Sequence, residues 1–196
     1  MSARMRPFSK DFYLQDTTSV ARQLIGATLV RRTAKGVLSG TIVETEAYIS
    51  RDPANHAFRG KTNRNRSMFG PPGRAYVYSI HRYHCLNLVT QPEGVAEAVL
   101  IRSVEPLEGI SVMQRNRKTD QLRLLTVGPG RLCQAFAIDR TLDGANLADG
   151  DLVVLKGTPC TEIECTTRVG VTAGKELPLR FFARDCLFVS PPRSRK

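Results

Sequence analysis

The chain has 196 residues, long enough for one domain with a real core and short for two. Hydrophobic residues make up 41% of it, which excludes a disordered chain, and its longest aliphatic runs, such as Ala98–Ile101, are far below the ~20 residues of a membrane span. Lys and Arg outnumber Asp and Glu by 29 to 18, a net charge of +11, and only seven of the cations are lysines. Arginine binds phosphate through a planar fork, so this balance favours a nucleic-acid partner over an anionic lipid surface or mere solubility. The five cysteines are odd in number and form no CxxC pair or Cys/His cluster at zinc spacing, so free buried thiols are expected and no metal or other cofactor is implied. The basic N-terminus lacks the apolar stretch of a secretory signal, and a cytoplasmic location is expected.

In chain order, Asp16–Thr18 offers caps for a short helix with Val20 and Leu24 on one face, closed by Gly26. Ala27–Thr33 reads as a strand, followed by a turn at Lys35–Gly36 and a second strand over Gly40–Ile49. Period-two alternation places Ile42, Glu44, Glu46 and Tyr48 on one face of that strand and Val43, Thr45, Ala47 and Ile49 on the other. Ser50–Gly73 is rich in turn formers and carries Arg51, Arg59, Lys61, Arg64 and Arg66 against one acid, Asp52. A loop of that length within a compact domain is usually functional.

Ala75–Ile80 and Tyr83–Thr90 predict a hairpin around His81–Arg82, a pair poorly suited to the favoured turns. Ala96–Val104 predicts another strand, and Pro106 a helix start, with the basic residues near Arg117 suiting its C-terminal end. Gly128–Gly130 turns into a helical run with Leu132 and Phe136 one turn apart, and Asp143–Gly144 turns again. Strands are predicted at Leu152–Leu155, Thr167–Val171 and Arg180–Ala183. Strands joined mostly by turns favour an α+β domain around an antiparallel sheet.

Glu44 and Glu46 would project from one face about 6.6–6.8 Å apart, a spacing at which two carboxylates can divide acid and base roles, or at which both can simply pair with arginines. Tyr48 continues that face, and Tyr76 and Tyr78 share a face of the next strand. Aromatic faces attract cationic rings by ~0.5–2 kcal/mol each, so a tyrosine cluster with His56 beside a carboxylate would favour a base made positive by alkylation. No P-loop, dinucleotide fingerprint, HExxH or GxSxG pattern occurs.

These residues resemble the alkyladenine (3-methyladenine) DNA glycosylases of the mammalian type, a family also found in bacteria. The likeness runs through most of the chain, in order: IVETEAY (Ile42–Tyr48), ANHAFRG around His56, RNRSMFGPPG (Arg64–Gly73), AYVY (Ala75–Tyr78), CLN (Cys85–Asn87), IRSVEPLEG (Ile101–Gly109), GPGRLCQAFAID (Gly128–Asp139), RVGV (Arg168–Val171) and PLRFF (Pro178–Phe182). The resemblance implies a single mixed domain over 1–196, with basic tails at 1–10 and 191–196. It also implies a curved, mainly antiparallel sheet surrounded by helices, and a protruding hairpin that inserts into DNA. By the same resemblance the chain would be a monofunctional base-excision-repair glycosylase. It would act as a monomer on double-stranded DNA and release alkylated purines without lyase activity, with deaminated purines as a further candidate class.

Residue by residue, the resemblance gives Glu46 the role of general base, with Arg102 and the backbone of Val169 holding the water. Tyr48, His56 and Tyr78 would sandwich the flipped base, and Asn87 would obstruct the amino group of guanine. The family's hairpin is one residue longer and carries a tyrosine wedge. Here His81 falls nearest that position and Tyr83 just after it, so both are candidates for intercalation. Two rival readings remain: a non-catalytic nucleic-acid-binding module, and a sugar glycosidase using both glutamates, disfavoured by the basic charge and the absence of tryptophan.

Overall fold

In a computed structural model, which describes residues 6–191, the chain is an α+β domain built on eight strands, every pairing of which is antiparallel. Two short helices, α1 (Lys10–Tyr13) and α2 (Thr17–Gln23), precede β1 (Thr28–Thr33) and the long β2 (Gly36–Tyr48). The side chain of Asp16 caps α2 by accepting the Ser19 amide at 2.9 Å, as its position before the apolar run predicted. After the long loop come β3 (Ala75–Ile80), β4 (Tyr83–Thr90) and β5 (Glu97–Glu108), then α3 (Ile110–Arg117) and α4 (Pro129–Ala135). The chain ends with β6 (Leu152–Leu155), β7 (Ile163–Thr166) and β8 (Arg180–Ala183). The strand order is β3-β4-β5-β2-β1-β6, and the sheet curls into a half-barrel.

β2 organises the sheet because it exchanges partners along its length. Its first half pairs with β1; from Glu44 to Glu46 that side belongs to β8, while β5 runs along the other side from Ser39 to Tyr48. Two faces result. Leu29, Ile42, Ala47, Val77, Leu86, Val99 and Ile101 enter the main core with α2, α3 and α4. On the opposite face of β3, β4 and β5, the side chains of Tyr76, Tyr78, Cys85, Ala98 and Leu100 form a second, smaller cluster with Met68 from the loop. Alternation along the strands accounts for this split, since one residue faces the core and the next faces the loop.

Four expectations require correction. Strict alternation through Ile42 and Glu44 fails, because Ile42 lies in the main core with Ala47. The ladder with β5 slips between Ile42 and Glu44 and again between Glu44 and Thr45, leaving Val43 extra on β2 and Arg102 extra on β5. Bulges of this kind re-aim side chains and reset which face they occupy. Pro106 does not begin a helix: it lies in β5 opposite Gly40, beside a third slip where a missing amide is tolerated. The helix of that region starts after Gly109, at φ +76. Thr167–Val171 is not a strand; the ladder ends at Thr166, and the segment after it turns toward β2. β2 also starts at Gly36, four residues before its predicted beginning.

The segments expected as tails lie partly outside the described residues. Of the rest, Pro7 bridges Leu155, and the Phe8 ring stacks on Phe12 with centroids 4.0 Å apart, so this stretch packs on the domain. All five cysteines are free; Cys85 and Cys133 are buried as expected, but Cys165 is exposed. Among the described residues, no helix is long and apolar enough to cross a membrane.

Gly109 combines left-handed backbone with close packing, since a Cβ there would lie 2.4 Å from the Val37 carbonyl oxygen. Gly109→Ala is therefore expected to destabilise the fold by at least the ~1–2 kcal/mol of a left-handed L-residue. Urea unfolding measures this, and an unchanged midpoint would contradict the packing described.

Candidate active site

The two bulges bring β2 and β5 together around three charged side chains with almost no exposed surface. Glu44 and Glu46 are wholly buried and Arg102 is 6% exposed. Arg102, the extra residue on β5, donates from Nε to Glu44 Oε1 at 2.8 Å and places Nη1 3.1 Å from Glu46 Oε1. One guanidinium thus bridges both carboxylates.

The carboxylates differ in their remaining partners. Glu44 Oε1 also accepts from Arg180 Nε at 2.7 Å and Ser190 Oγ at 2.7 Å, and Oε2 accepts the Ser190 amide at 2.8 Å. Burial opposes its charge, but Arg102 and Arg180 with the Ser190 bonds outweigh it and hold the carboxyl below the usual range. Glu46 Oε1 accepts the Val169 amide at 2.8 Å, and Oε2 accepts the Tyr48 hydroxyl at 2.9 Å. A carboxylate offers about four acceptor positions. Glu46 Oε1 has two donors and Oε2 one, so Oε2 retains an acceptor position.

Beside this network lies a cleft of about 500 Å³, the size of a small-ligand site. Tyr48, Arg102 and Val169, the three partners of Glu46, all line it, whereas Arg180 and Ser190, which hold Glu44, do not. Glu46 lies directly behind the cleft wall. Two glutamates expected to share a face are thus separated in role: Glu44 is part of the frame, and Glu46 backs the cavity.

Four aromatic rings, Tyr48, His56, Tyr76 and Tyr78, stand in the cleft walls. The His56 ring meets Tyr78 nearly edge-on, centroids 4.2 Å apart, and its Nδ1 lies 3.1 Å from the Tyr76 hydroxyl. Burial of the ring, and then the nearby Arg64 charge, push the His56 pKa down, favouring the neutral form. Burial raises the phenols of Tyr76, to about 12, and of Tyr78 and Tyr48 further. Asn87, buried at the floor, donates from Nδ2 to the Tyr76 carbonyl at 3.1 Å. The structure therefore brings Tyr48, His56, Tyr78, Asn87, Arg102 and Val169 to one cavity.

The hairpin candidates lie apart from one another. His81 occupies the turn at φ +52, while Arg82 does not share the positive φ; Ile80 lines the cleft mouth. Tyr83 is half-exposed and rests against Gly130, where a Cβ would come within 3.1 Å of it.

Several site residues escaped the sequence reading. Asn55 donates to the carbonyls of Ile49 and Ala96 and accepts the Ala57 amide, while Asn65 ties Thr62, Gly60 and His56 together. These two side chains fix the basic loop over the cleft. Arg168 forms a fully buried, bidentate pair with Asp52, Nη2 to Oδ1 at 2.8 Å, and donates to the carbonyls of Ala47 and Gly174. Its guanidinium also lies 4.7 Å from the Tyr48 ring centroid. This clamp draws 167–171 away from the ladder with β8 and presents the Val169 amide to Glu46. Asp52 was visible only as the lone acid of a basic loop.

An acid backing a partly aromatic cleft, with a basic loop over it, is an arrangement that can hold a flat, electron-poor ring beside a proton acceptor. Residues 11–187 match the family model described as methylpurine-DNA glycosylase, and the chain belongs to that family. It is 47% identical over 185 residues to a protein of Methanoculleus marisnigri, covering 91% of this chain and 96% of that one. A protein of Carboxydothermus hydrogenoformans is 48% identical, covering 92% and 97%, and one of Mesorhizobium japonicum is 47% identical, covering 96% and 92%. All three bear the name "Putative 3-methyladenine DNA glycosylase".

Replacing Asp52 by Asn leaves the Arg168 charge buried without its partner, a loss on the order of 3–5 kcal/mol for such pairs. Hydrogen exchange of the Val169 amide should accelerate well beyond that of β5 amides. Equal acceleration across both segments would mean that the clamp does not hold Val169.

Proposed function

We propose that this glycosylase removes alkylated purines such as 3-methyladenine from duplex DNA by base flipping and hydrolysis, with Glu46 as general base. The observation that carries this reading is that every partner of Glu46 lines the cleft while its Oε2 keeps one acceptor position. A water bound there lies against the cavity wall that Tyr48 and Arg102 form.

In this reading the protein binds duplex DNA through its basic surface, and the tip of the β3–β4 hairpin fills the gap left by the extruded nucleotide. His81, at the apex, carries the wedge; Tyr83 is anchored against Gly130 and supports the hairpin from the side. The base enters between Tyr48, His56 and Tyr78. Asn87, held by the Tyr76 carbonyl, meets the base edge and obstructs the exocyclic amino group of guanine.

Glu46 takes a proton from the water, whose oxygen bonds to the sugar C1′ as the N-glycosidic bond breaks. The bonding electrons leave with the base, which departs neutral if alkylation had made it cationic. Negative charge on Glu46 also stabilises the oxocarbenium-like transition state. Arg102 and the Val169 amide fix the carboxylate, and the water is oriented through it. Among the described residues no lysine lines the cleft, so no amine is at hand for a Schiff base, and the reaction stops at the abasic site. The product is consumed by an enzyme acting on abasic DNA.

Glu46→Gln should reduce single-turnover release of 3-methyladenine by at least ~10² while binding to a duplex with a stable abasic analogue stays close to wild type. Release at the wild-type rate would remove Glu46 from its role, and a wild-type protein that binds but releases nothing would favour a binding module.

His56 adds a pH signature. Its pKa lies below the ordinary 6.5, so the ring is neutral above that value and gains charge only as pH falls further. Protonation would repel a cationic base, so release of 3-methyladenine should decline on the acid side and hypoxanthine release should decline less. His56→Gln should remove that difference; identical acid limbs for both lesions in the wild type would contradict it.

A further inference from the structure

β3 is the last strand at its end of the sheet, so the outward-facing backbone groups of Ala75, Val77 and Ser79 need partners from elsewhere. Ala75 donates to the Ala145 carbonyl at 2.9 Å and accepts the Gly144 amide at 2.8 Å. The Val77 amide donates to Asp143 Oδ1 at 2.9 Å, and the Ser79 carbonyl accepts from Arg64 Nη2 at 2.8 Å. Gly144 turns the chain at φ +84, and the Asp143 carboxylate stands where a neighbouring strand would have placed its next carbonyl.

The other carboxylate oxygen reaches a different element. Asp143 Oδ2 accepts from Ser67 Oγ at 2.7 Å, and Ser67 lies in the single 3-10 turn Arg66–Phe69 of the basic loop. Val77 sits between Tyr76 and Tyr78, and Ser67 directly precedes Met68. Met68, Tyr76 and Tyr78 pack in the same small cluster and all line the cleft. That stretch of wall therefore comes in two pieces, one on β3 and one on the loop, and Asp143 bonds to the backbone or side chain beside each. Its side chain is only 10% exposed, whereas its ion-pair partner Arg140 is 3.6 Å away and largely in solvent, so the two hydrogen bonds dominate.

We infer that Asp143 is a positioning residue that governs base selection: its two hydrogen bonds lock Met68 against Tyr76 and Tyr78 and so fix the size of base the wall fits. The inference rests on the glycosylase reading for the nature of the ligand. Asp143 lies outside the cleft lining, so it acts through the three side chains that it holds. A close-packed wall discriminates by shape, whereas a wall in two unlinked pieces yields to a larger guest and grips a smaller one less well.

The test compares single-turnover release of 3-methyladenine and 3-ethyladenine from duplex DNA treated with a methylating or an ethylating agent. The two bases are equally cationic and differ by one methylene. The wild type should favour the methyl base by roughly tenfold or more, the usual effect of one methylene in a fitted pocket. Ser67→Ala frees the loop piece but leaves the Val77 bond in place, and should reduce that preference to within about threefold. Asp143→Asn keeps an acceptor for the Val77 amide and a donor for the Ser67 oxygen, so it should retain the wild-type preference, while Asp143→Ala should lose it. Where Asp143→Ala does not fold, Ser67→Ala decides.

An equal fall in both rates with the preference unchanged would mark a merely structural role and overturn the inference. A wild-type preference in Ser67→Ala, a wild type indifferent to the added methylene, or an Asp143→Asn protein that has lost the preference would overturn it too. Hydrogen exchange reads the tether without the reaction. The Met68 and Gly70 amides, bonded to the Asn65 and Ser67 carbonyls, should exchange faster in Ser67→Ala, with the Val77 amide unchanged. Wild-type exchange at Met68 and Gly70 would mean that Asp143 does not hold the loop piece. A wild type that releases neither base sinks the glycosylase reading, while exchange still decides the tether.

Discussion

The site depends on Arg102 standing between Glu44 and Glu46. Taking any of these charges out of water costs several kcal/mol unless its partners are close and its hydrogen bonds complete. Arg102 meets that condition with Nε on one carboxylate and Nη1 on the other, and Arg180 supplies the second positive charge. Two acids therefore face two guanidiniums. Asp52 and Arg168 repeat the balance next door, giving three buried acids and three buried arginines. Among the described residues, the buried arginines are consumed by carboxylates, whereas outside only some, such as Arg184, are paired and others carry no salt bridge.

The bulges make the arrangement possible. In an unbroken ladder, Arg102 would follow the alternation of Ile101 and Ser103 and lie between cross-strand neighbours. As the extra residue it is freed from that pairing and bends toward both glutamates, while the compensating slip at Val43 restores Thr45 and Ala47 to the core face. Packing and chemistry are thus adjusted by the same two irregularities. A change that abolished either slip would rotate one set of side chains into the other's place.

Much of this was legible in local sequence. The β3–β4 hairpin, the run of alternation from Thr45 to Tyr48 and the cap at Asp16 follow from period and residue chemistry, and the ordered motifs carried the family. What stayed hidden depends on contacts distant along the chain. The phase of Ile42 is set by pairing with Val104, and Pro106 is tolerated in β5 because the register slips opposite Ser39 and Gly40. The segment 167–171 has strand-forming residues, yet Asp52 and Glu46, more than a hundred positions earlier, claim its backbone and side chains. Glu44 and Glu46 could not be told apart by spacing, since their difference lies in Ser190 and Arg180 on one side and Tyr48 and Val169 on the other.

The same pairing resolves a tension between binding DNA and accepting a damaged base. A protein of charge +11 should repel an alkylated purine, which is itself cationic. Yet among the described residues Arg102 is the only formally charged side chain in the cleft lining, and both neighbouring carboxylates compensate it. His56 is biased toward its neutral form, and three tyrosines, whose negative quadrupoles favour a positive ring, share the walls with uncharged side chains. The outer surface can therefore stay strongly basic without carrying that field into the cleft. An unpaired arginine in the lining would attract phosphate, so in the proposed reading the neutralising of Arg102 from behind the wall serves selectivity as well as folding.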